Sequence, residues 1–202
     1  MKHLIKRMTV MFAILGIIVL GSALSASADD ITDSINEGLE NYKKGDVSAA
    51  IQSLNYATQL MMQTKAQGLE AYLPAPLSGW TAEPSNSTAA GAAMFGGGVS
   101  AERTYTKDSS QVTIQILTDS PLMQGVMMMF SNPMFAASEG GKLEKVGKQK
   151  AIVTYNENDR DGNIKIVVAN RFFVSIEGNG VTKEDLTAYA KKVDYDKLAA
   201  MP

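Results

Sequence analysis

Arg103-Thr104-Tyr105-Thr106-Lys107-Asp108-Ser109-Ser110-Gln111-Val112-Thr113-Ile114-Gln115-Ile116-Leu117 is the stretch that decides the fold. Apolar and polar residues alternate at period two on either side of the polar segment 107–110, which predicts two antiparallel strands joined as a hairpin. Further strand signals follow at 143–146, 151–155, 164–169 and 172–176, after a helix near 122–131. Asp161-Gly162 between two of these runs predicts a hairpin turn, and Gly178-Asn179-Gly180 a strand-to-helix turn. The chain closes with a helix introduced by Thr182 and Asp185, a variant capping box, with Leu186, Tyr189, Ala190 and Val193 on one face. Strands joined by hairpins, one inserted helix and one C-terminal helix give an α+β domain with an antiparallel β-sheet over residues 73–202.

Toward the N-terminus, Leu73-Pro74-Ala75-Pro76-Leu77 breaks the pattern, because each proline biases the residue before it to extended backbone. The domain boundary is placed there. Gly79-Trp80-Thr81 opens the first strand, and the Ala/Gly-rich stretch 89–98 reads as a connection. Before the boundary, Ile31, Ile35, Leu39 and Tyr42 recur at helical spacing, stop at Gly45-Asp46, and resume as Val47, Ala50, Ile51, Leu54, Ala57, Leu60 and Met61. Two antiparallel amphipathic helices over 29–72 follow, with Asp46 or Ser48 as the cap of the second.

Gly38, Tyr42, Gly45-Asp46, Ala50, Leu54 and Ala57 stand at the spacing of the tetratricopeptide repeat, which residues 31–64 resemble. The match has no aromatic near its start, no closing proline and no second copy. One repeat cannot bury its own apolar face, so the hairpin must dock on the rest of the chain or on a partner. The resemblance implies a helix pair of the kind used for protein contacts. Pro76-Leu77-Ser78-Gly79-Trp80, the hairpins and the closing helix resemble PsbP and Mog1-type domains over 73–201, which implies an accessory or adaptor role.

Lys2, His3, Lys6 and Arg7 precede an uncharged apolar run at 8–20, and Ala26-Ser27-Ala28 supplies the small residues a signal peptidase accepts. Residues 1–28 read as a cleavable signal peptide. The run is shorter than the roughly 20 residues a spanning helix needs, and no later stretch is long and apolar enough, so no integral membrane segment is expected after cleavage. A periplasmic or secreted location follows.

The 202 residues have a formal net charge of −2; removing Lys2, Lys6 and Arg7 with no acid takes it to −5. The remaining Lys and Arg are dispersed among more numerous carboxylates, which speaks against nucleic acid as a partner. The chain has no cysteine, and its one histidine is His3. Ser-His-Asp, Cys-His and His-ligated zinc mechanisms are therefore unavailable to residues 29–202, and no carboxylate pair can be nominated for catalysis. The expectation is a non-enzyme with no cofactor.

Methionine is the conspicuous residue: Met123, Met127, Met128, Met129 and Met134 crowd into twelve positions. Thioethers are soft ligands that select Cu(I), and Met123 and Met127 share a helix face with Met134 in reach, so these three are the candidate metal or apolar-ligand residues. The bland reading is gap-filling core methionine. The 122–130 segment is apolar nearly all round, which predicts burial on two sides, between sheet and hairpin, with Gly125 allowing close approach. Met94 and Phe95 in the 89–98 stretch are candidates for a lid over an apolar pocket. Residues 156–163 resemble a calcium loop, but Val168 stands where the bidentate glutamate belongs. The function expected is an exported accessory or protein-interaction protein with an unknown protein partner; the alternative is a periplasmic binder of an apolar ligand or Cu(I).

Overall fold

Glycine and aspartate make the first corner of the chain. In the computed structural model, which describes residues 28–90, 98–132, 134, 137 and 140–201, helices α1 (Ala28–Lys43) and α2 (Val47–Glu70) meet at Gly45. Its φ of +84° is the left-handed conformation that ends a helix and that glycine adopts at no steric cost. The Asp46 carboxylate then caps α2 by accepting from the Ala49 N–H at 3.0 Å. Such a short link forces the helices antiparallel, and they meet through small residues: Ser34 and Gly38 on α1, Ala50 and Ala57 on α2.

After 71–80 the chain runs β1 (Thr81–Ala82), β2 (Asn86–Ala90), β3 (Gly98–Lys107), β4 (Ser110–Thr118), α3 (Leu122–Ser131), β5 (Lys142–Val146), β6 (Gln149–Asn156), β7 (Asp161–Val168), β8 (Phe172–Asn179), α4 (Lys183–Lys192) and α5 (Tyr195–Ala199). The eight strands form one antiparallel sheet of order β1-β3-β4-β8-β7-β6-β5, with β2 also paired to β3. The α+β class with a leading helical pair, an inserted helix and a C-terminal helix is as the sequence predicts; α5 is a further short helix after it. Period two sorts the strands into two faces. One row across the inner face reads Ala101, Ile116, Val174, Ile166, Ala151, and the next holds Ile114, Ile176, Ile164 and Val153, all buried.

Two helical elements cover that face. Leu186, Tyr189 and Ala190 of α4 join it with Val193 just after that helix and Leu198 of α5, while Ala66 and Leu69 from the C-terminal part of α2 join it with Leu73 and Trp80. Thr182 caps α4 with the reciprocal Thr182–Asp185 hydrogen bonds of a capping box. Tyr189 packs edge-on to Trp80, with centroids 5.2 Å apart, and lies 4.6 Å from Tyr105, whose hydroxyl donates to the Pro74 carbonyl at 2.6 Å. The proline-rich crossing between helices and sheet is thereby pinned into the core. Lys65 of α2 adds an ion pair to Asp119 at 2.6 Å.

Several expectations need correction. The β6–β7 turn is residues 157–160, with Arg160 at φ +56°, and Asp161-Gly162 lie inside β7. Gly162 is there for packing: a Cβ would stand 2.7 Å from both Leu186 Cδ1 and Tyr155 Cδ2. Gly178 and Asn179 are likewise in β8, and only Gly180, at φ +65°, makes the turn. Ala169, expected in a strand, turns with φ +51°. Part of the expected 89–98 connection is strand, since Ala89, Ala90 and Gly98 belong to β2 and β3. Residues 91–97, with Met94 and Phe95, and the leader 1–27 lie outside the described residues.

The largest correction concerns α3. None of its residues is buried, and among the described residues nothing lies within 4 Å of a Cβ built on Gly125. The inner face is already filled by α2, α4 and α5, so α3 lies on the outer face, against β7 and β8. It is covered on one side only.

Candidate functional site

The most unusual surface belongs to the hairpin. On α1, Ile35, Leu39 and Tyr42 recur at i, i+4 and i+7, roughly a quarter turn around the helix from the Ser34–Gly38 edge that meets α2. On α2, Val47, Ile51, Leu54 and Met61 form a stripe rotated by a similar angle from the Ala50–Ala57 edge. Because the helices are antiparallel, both rotations lead to the same side of the pair. All seven side chains are exposed, from 41% for Ile35 to 66% for Tyr42.

This face is the uncovered part of a longer one. The C-terminal part of α2 sends Ala66 and Leu69 into the sheet core and packs on β2 and β3, whereas α1 makes its main packing with α2. The first four turns of α2 and the whole of α1 thus reach past the sheet with their apolar stripes bare. The rotation that carries the stripes to one side leaves Asp29, Asp33, Glu37 and Glu40 on the opposite side of α1. Isolated exposed apolar residues are ordinary, but seven on one side of two helices form a patch of the size that marks contact surfaces.

The candidate ligand methionines are arranged differently from the expectation of a core. Met123 and Met127 are half-buried on α3, while Met134 is 78% exposed and Met128 is 62% exposed. Leu122 of the same helix is also exposed. α3 therefore presents thioethers toward solvent rather than into a closed core. Among the described residues no group of three or more His, Cys, Asp or Glu could hold a metal ion.

Sequence reasoning missed a third feature, a concavity of about 510 Å³ on the outer sheet face beyond α3. Gln111, Thr113, Thr154, Asn156, Asp161, Asn163, Glu177 and Asn179 line it with no Lys or Arg. Asn163 Nδ2 donates to Ser175 Oγ at 3.1 Å and to Glu177 Oε1 at 3.2 Å, and its Oδ1 is buried without a partner among the described residues. The sequence signal was available in the polar phase of β4, β7 and β8, where Gln111, Thr113, Asn163, Ser175 and Asn179 stand and Lys165 is the single cation. Such a surface can exchange hydrogen bonds, and on it the Ser175 hydroxyl donates to Glu177 Oε1 at 3.2 Å.

The perturbed titratable groups are structural. Burial raises Tyr105 to about 12 and also raises Tyr189 and Tyr195. Hydrogen bonds from the Ser85 and Ser87 hydroxyls hold the Glu70 carboxyl below its usual range, with Arg103 contributing in the same direction and burial opposing. Arg103 Nε is itself buried without a hydrogen-bond partner among the described residues. This cluster joins the end of α2 to β2 and β3. Among the described residues no helix is long and apolar enough to cross a membrane.

No family model matches the chain, and no curated protein or solved structure matches it.

Proposed function

We propose that this chain is an exported, non-enzymatic accessory protein that works by protein contact, with the uncovered face of the α1–α2 hairpin as its docking surface. The observation that carries the reading is the side-by-side exposure of Ile35, Leu39, Tyr42, Val47, Ile51, Leu54 and Met61 beside the small-residue edges through which the two helices meet. The spacing that resembles a tetratricopeptide repeat supports it, since such helix pairs stack on further helices to complete their core. The basic and apolar leader at 1–20 with small residues at 26–28 supports a periplasmic or secreted location. The lack of His and Cys in 29–202 removes the commonest nucleophile–base pairs, and the net negative charge disfavours nucleic acid.

A photo-crosslinking residue placed at Leu39, in the chain expressed with its own leader, tests the reading. The expected result is a discrete protein adduct that disappears when Ile51→Glu is added and that is absent when the same group replaces Glu37 on the opposite side. No adduct at Leu39, or equal adducts at both positions, overturns it.

Half-buried Met123 and Met127 on one side of α3, with exposed Met134 beyond its end, favour a second reading, a soft site for Cu(I) or an apolar ligand at these three residues. Met123→Leu with Met127→Leu conserves volume, so loss of bound copper or ligand mass in native mass spectrometry without loss of stability supports it. An unchanged mass excludes it.

A further inference from the structure

The composition of the hairpin face says more about its occupant than that it is apolar. Around the seven exposed apolar residues, helical rotation places Thr32, Asn36 and Lys43 on the α1 border and Asn55 and Gln59 on the α2 border, with Lys65 one turn beyond Met61. The rim is thus largely neutral and hydrogen-bonding; its charges are Lys43 and Lys65, and Lys65 is neutralised by its ion pair to Asp119. The acids of α1, from Asp29 to Glu40, lie on the far side. An apolar centre depleted of charge inside a polar rim is the anatomy of a stable protein–protein interface.

We infer that the occupant of this face is the same face of a second copy, forming a symmetric antiparallel four-helix contact. The inference rests on the docking reading above. Charge decides between a self-contact and a foreign partner. Discrimination among partners relies on complementary charges, and apart from Lys43 and the self-neutralised Lys65–Asp119 pair this face offers none to recognise. For a second copy the same feature is permissive, because a two-fold axis sets this patch against itself and the α1 acids stay outside the contact. Area gives the second argument. Seven large side chains about half exposed leave on the order of 600 Å² of apolar surface per chain, so a symmetric pair removes about 1,200 Å², the lower bound of a standard specific interface. The two helices of each copy already meet through Ser34, Gly38, Ala50 and Ala57, so the larger residues remain available for the layer between copies. Four helices packed in this way close the core that one helical pair leaves open.

Sedimentation equilibrium of the full chain, purified as its host produces it and without detergent, tests the inference. A dimer at micromolar concentration is expected, with Leu39→Glu and Ile51→Glu each weakening association by 100-fold or more. Both positions are half exposed, so the variants should keep the far-ultraviolet spectrum and the melting temperature of the parent monomer. A second readout does not depend on tolerance of a buried charge. The chain has no cysteine, so in Leu39→Cys an intermolecular disulfide forms on mild oxidation only where two copies meet, and a Glu37→Cys control should stay monomeric. A chain that is monomeric to about 200 μM, or a dimer indifferent to both Glu variants, overturns the second copy as occupant. Either result leaves the docking reading standing on the Leu39 adduct, which would then contain a different protein.

Discussion

Gly38 lies against Leu54 so closely that a Cβ on the glycine would stand 2.8 Å from Leu54 Cγ. That contact sets the spacing of α1 and α2 and holds Leu54 at the seam where the two apolar stripes meet. Gly38→Val should therefore wedge the helices apart and cost about 1–3 kcal/mol in urea unfolding. Gly125→Ala in α3 is the matched opposite. Among the described residues nothing lies within 4 Å of its Cβ, so removing glycine from the helix interior should add about 1 kcal/mol. A stabilising Gly38→Val would show that the helices are not packed at this distance.

Alkaline pH should unfold the protein through its tyrosines. Burial raises Tyr105 to about 12 in the folded state, against about 10 when exposed in the unfolded chain. Between those values the folded protein keeps a proton that the unfolded chain has released, so stability is full below pH 10 and declines as pH rises through 12. Tyr189 and Tyr195 are raised in the same direction and steepen the loss. Tyr105→Phe should flatten this decline. It should also lower stability at pH 7 by about 1–2 kcal/mol, since the Pro74 carbonyl loses its donor.

Acid should act on the join between hairpin and sheet. The folded Glu70 carboxyl is held below its ordinary value, chiefly by the Ser85 and Ser87 hydroxyls. Its contribution is complete above the ordinary carboxylate range and is lost as pH falls through the lowered folded value. Amide protection factors in β2, which remove the intrinsic pH dependence of exchange, should fall over that interval, and Glu70→Gln should lower them at neutral pH and leave them nearly independent of pH.

The sheet's facing glycines give a sharper packing test. Gly162 and Gly178 are partners across β7 and β8, and a Cβ on Gly178 would stand 2.4 Å from Val181 Cγ2 and 2.7 Å from Leu186 Cδ2. Val181 and Leu186 are fully buried and have nowhere to move. Gly178→Ala should cost about 1–3 kcal/mol by thermal unfolding, although alanine suits a strand better than glycine does.

Much of this architecture was legible from pattern. Strict alternation at 103–106 and 112–117 identified β3 and β4, and the Thr182–Asp185 spacing identified the start of α4, because both signals are local. β2 was missed because Asn86-Ser87-Thr88-Ala89-Ala90 has little strand propensity; pairing with 98–102 of β3 imposes its conformation. Asp161-Gly162 looked like a turn because that pair favours left-handed backbone, whereas the glycine is required by Leu186, a contact 24 positions away. The site failed in an instructive direction. Apolar periodicity reports that a helix face prefers burial, but not what covers it. The pattern ran through Ile35, Leu39 and Ile51, which the chain leaves bare, and stopped at Met61, short of Ala66 and Leu69, which do enter the core; the all-round apolar α3 proved to be covered on one side only.

Native methionines offer the most direct test of the central claim, that the hairpin face is covered when the protein is at work. Met61 lies on that face at 45% exposure, while Met128 on α3 is 62% exposed and serves as an internal reference. Dilute peroxide converts exposed thioethers to sulfoxides that peptide mass spectrometry counts. In the isolated chain at nanomolar concentration, Met61 and Met128 should oxidise at comparable rates. In intact host cells Met61 should be slowed at least tenfold relative to Met128. If the Met61 to Met128 ratio is the same in cells as in the dilute isolated chain, the face is bare in its working state and the account of this protein as a docking module is contradicted.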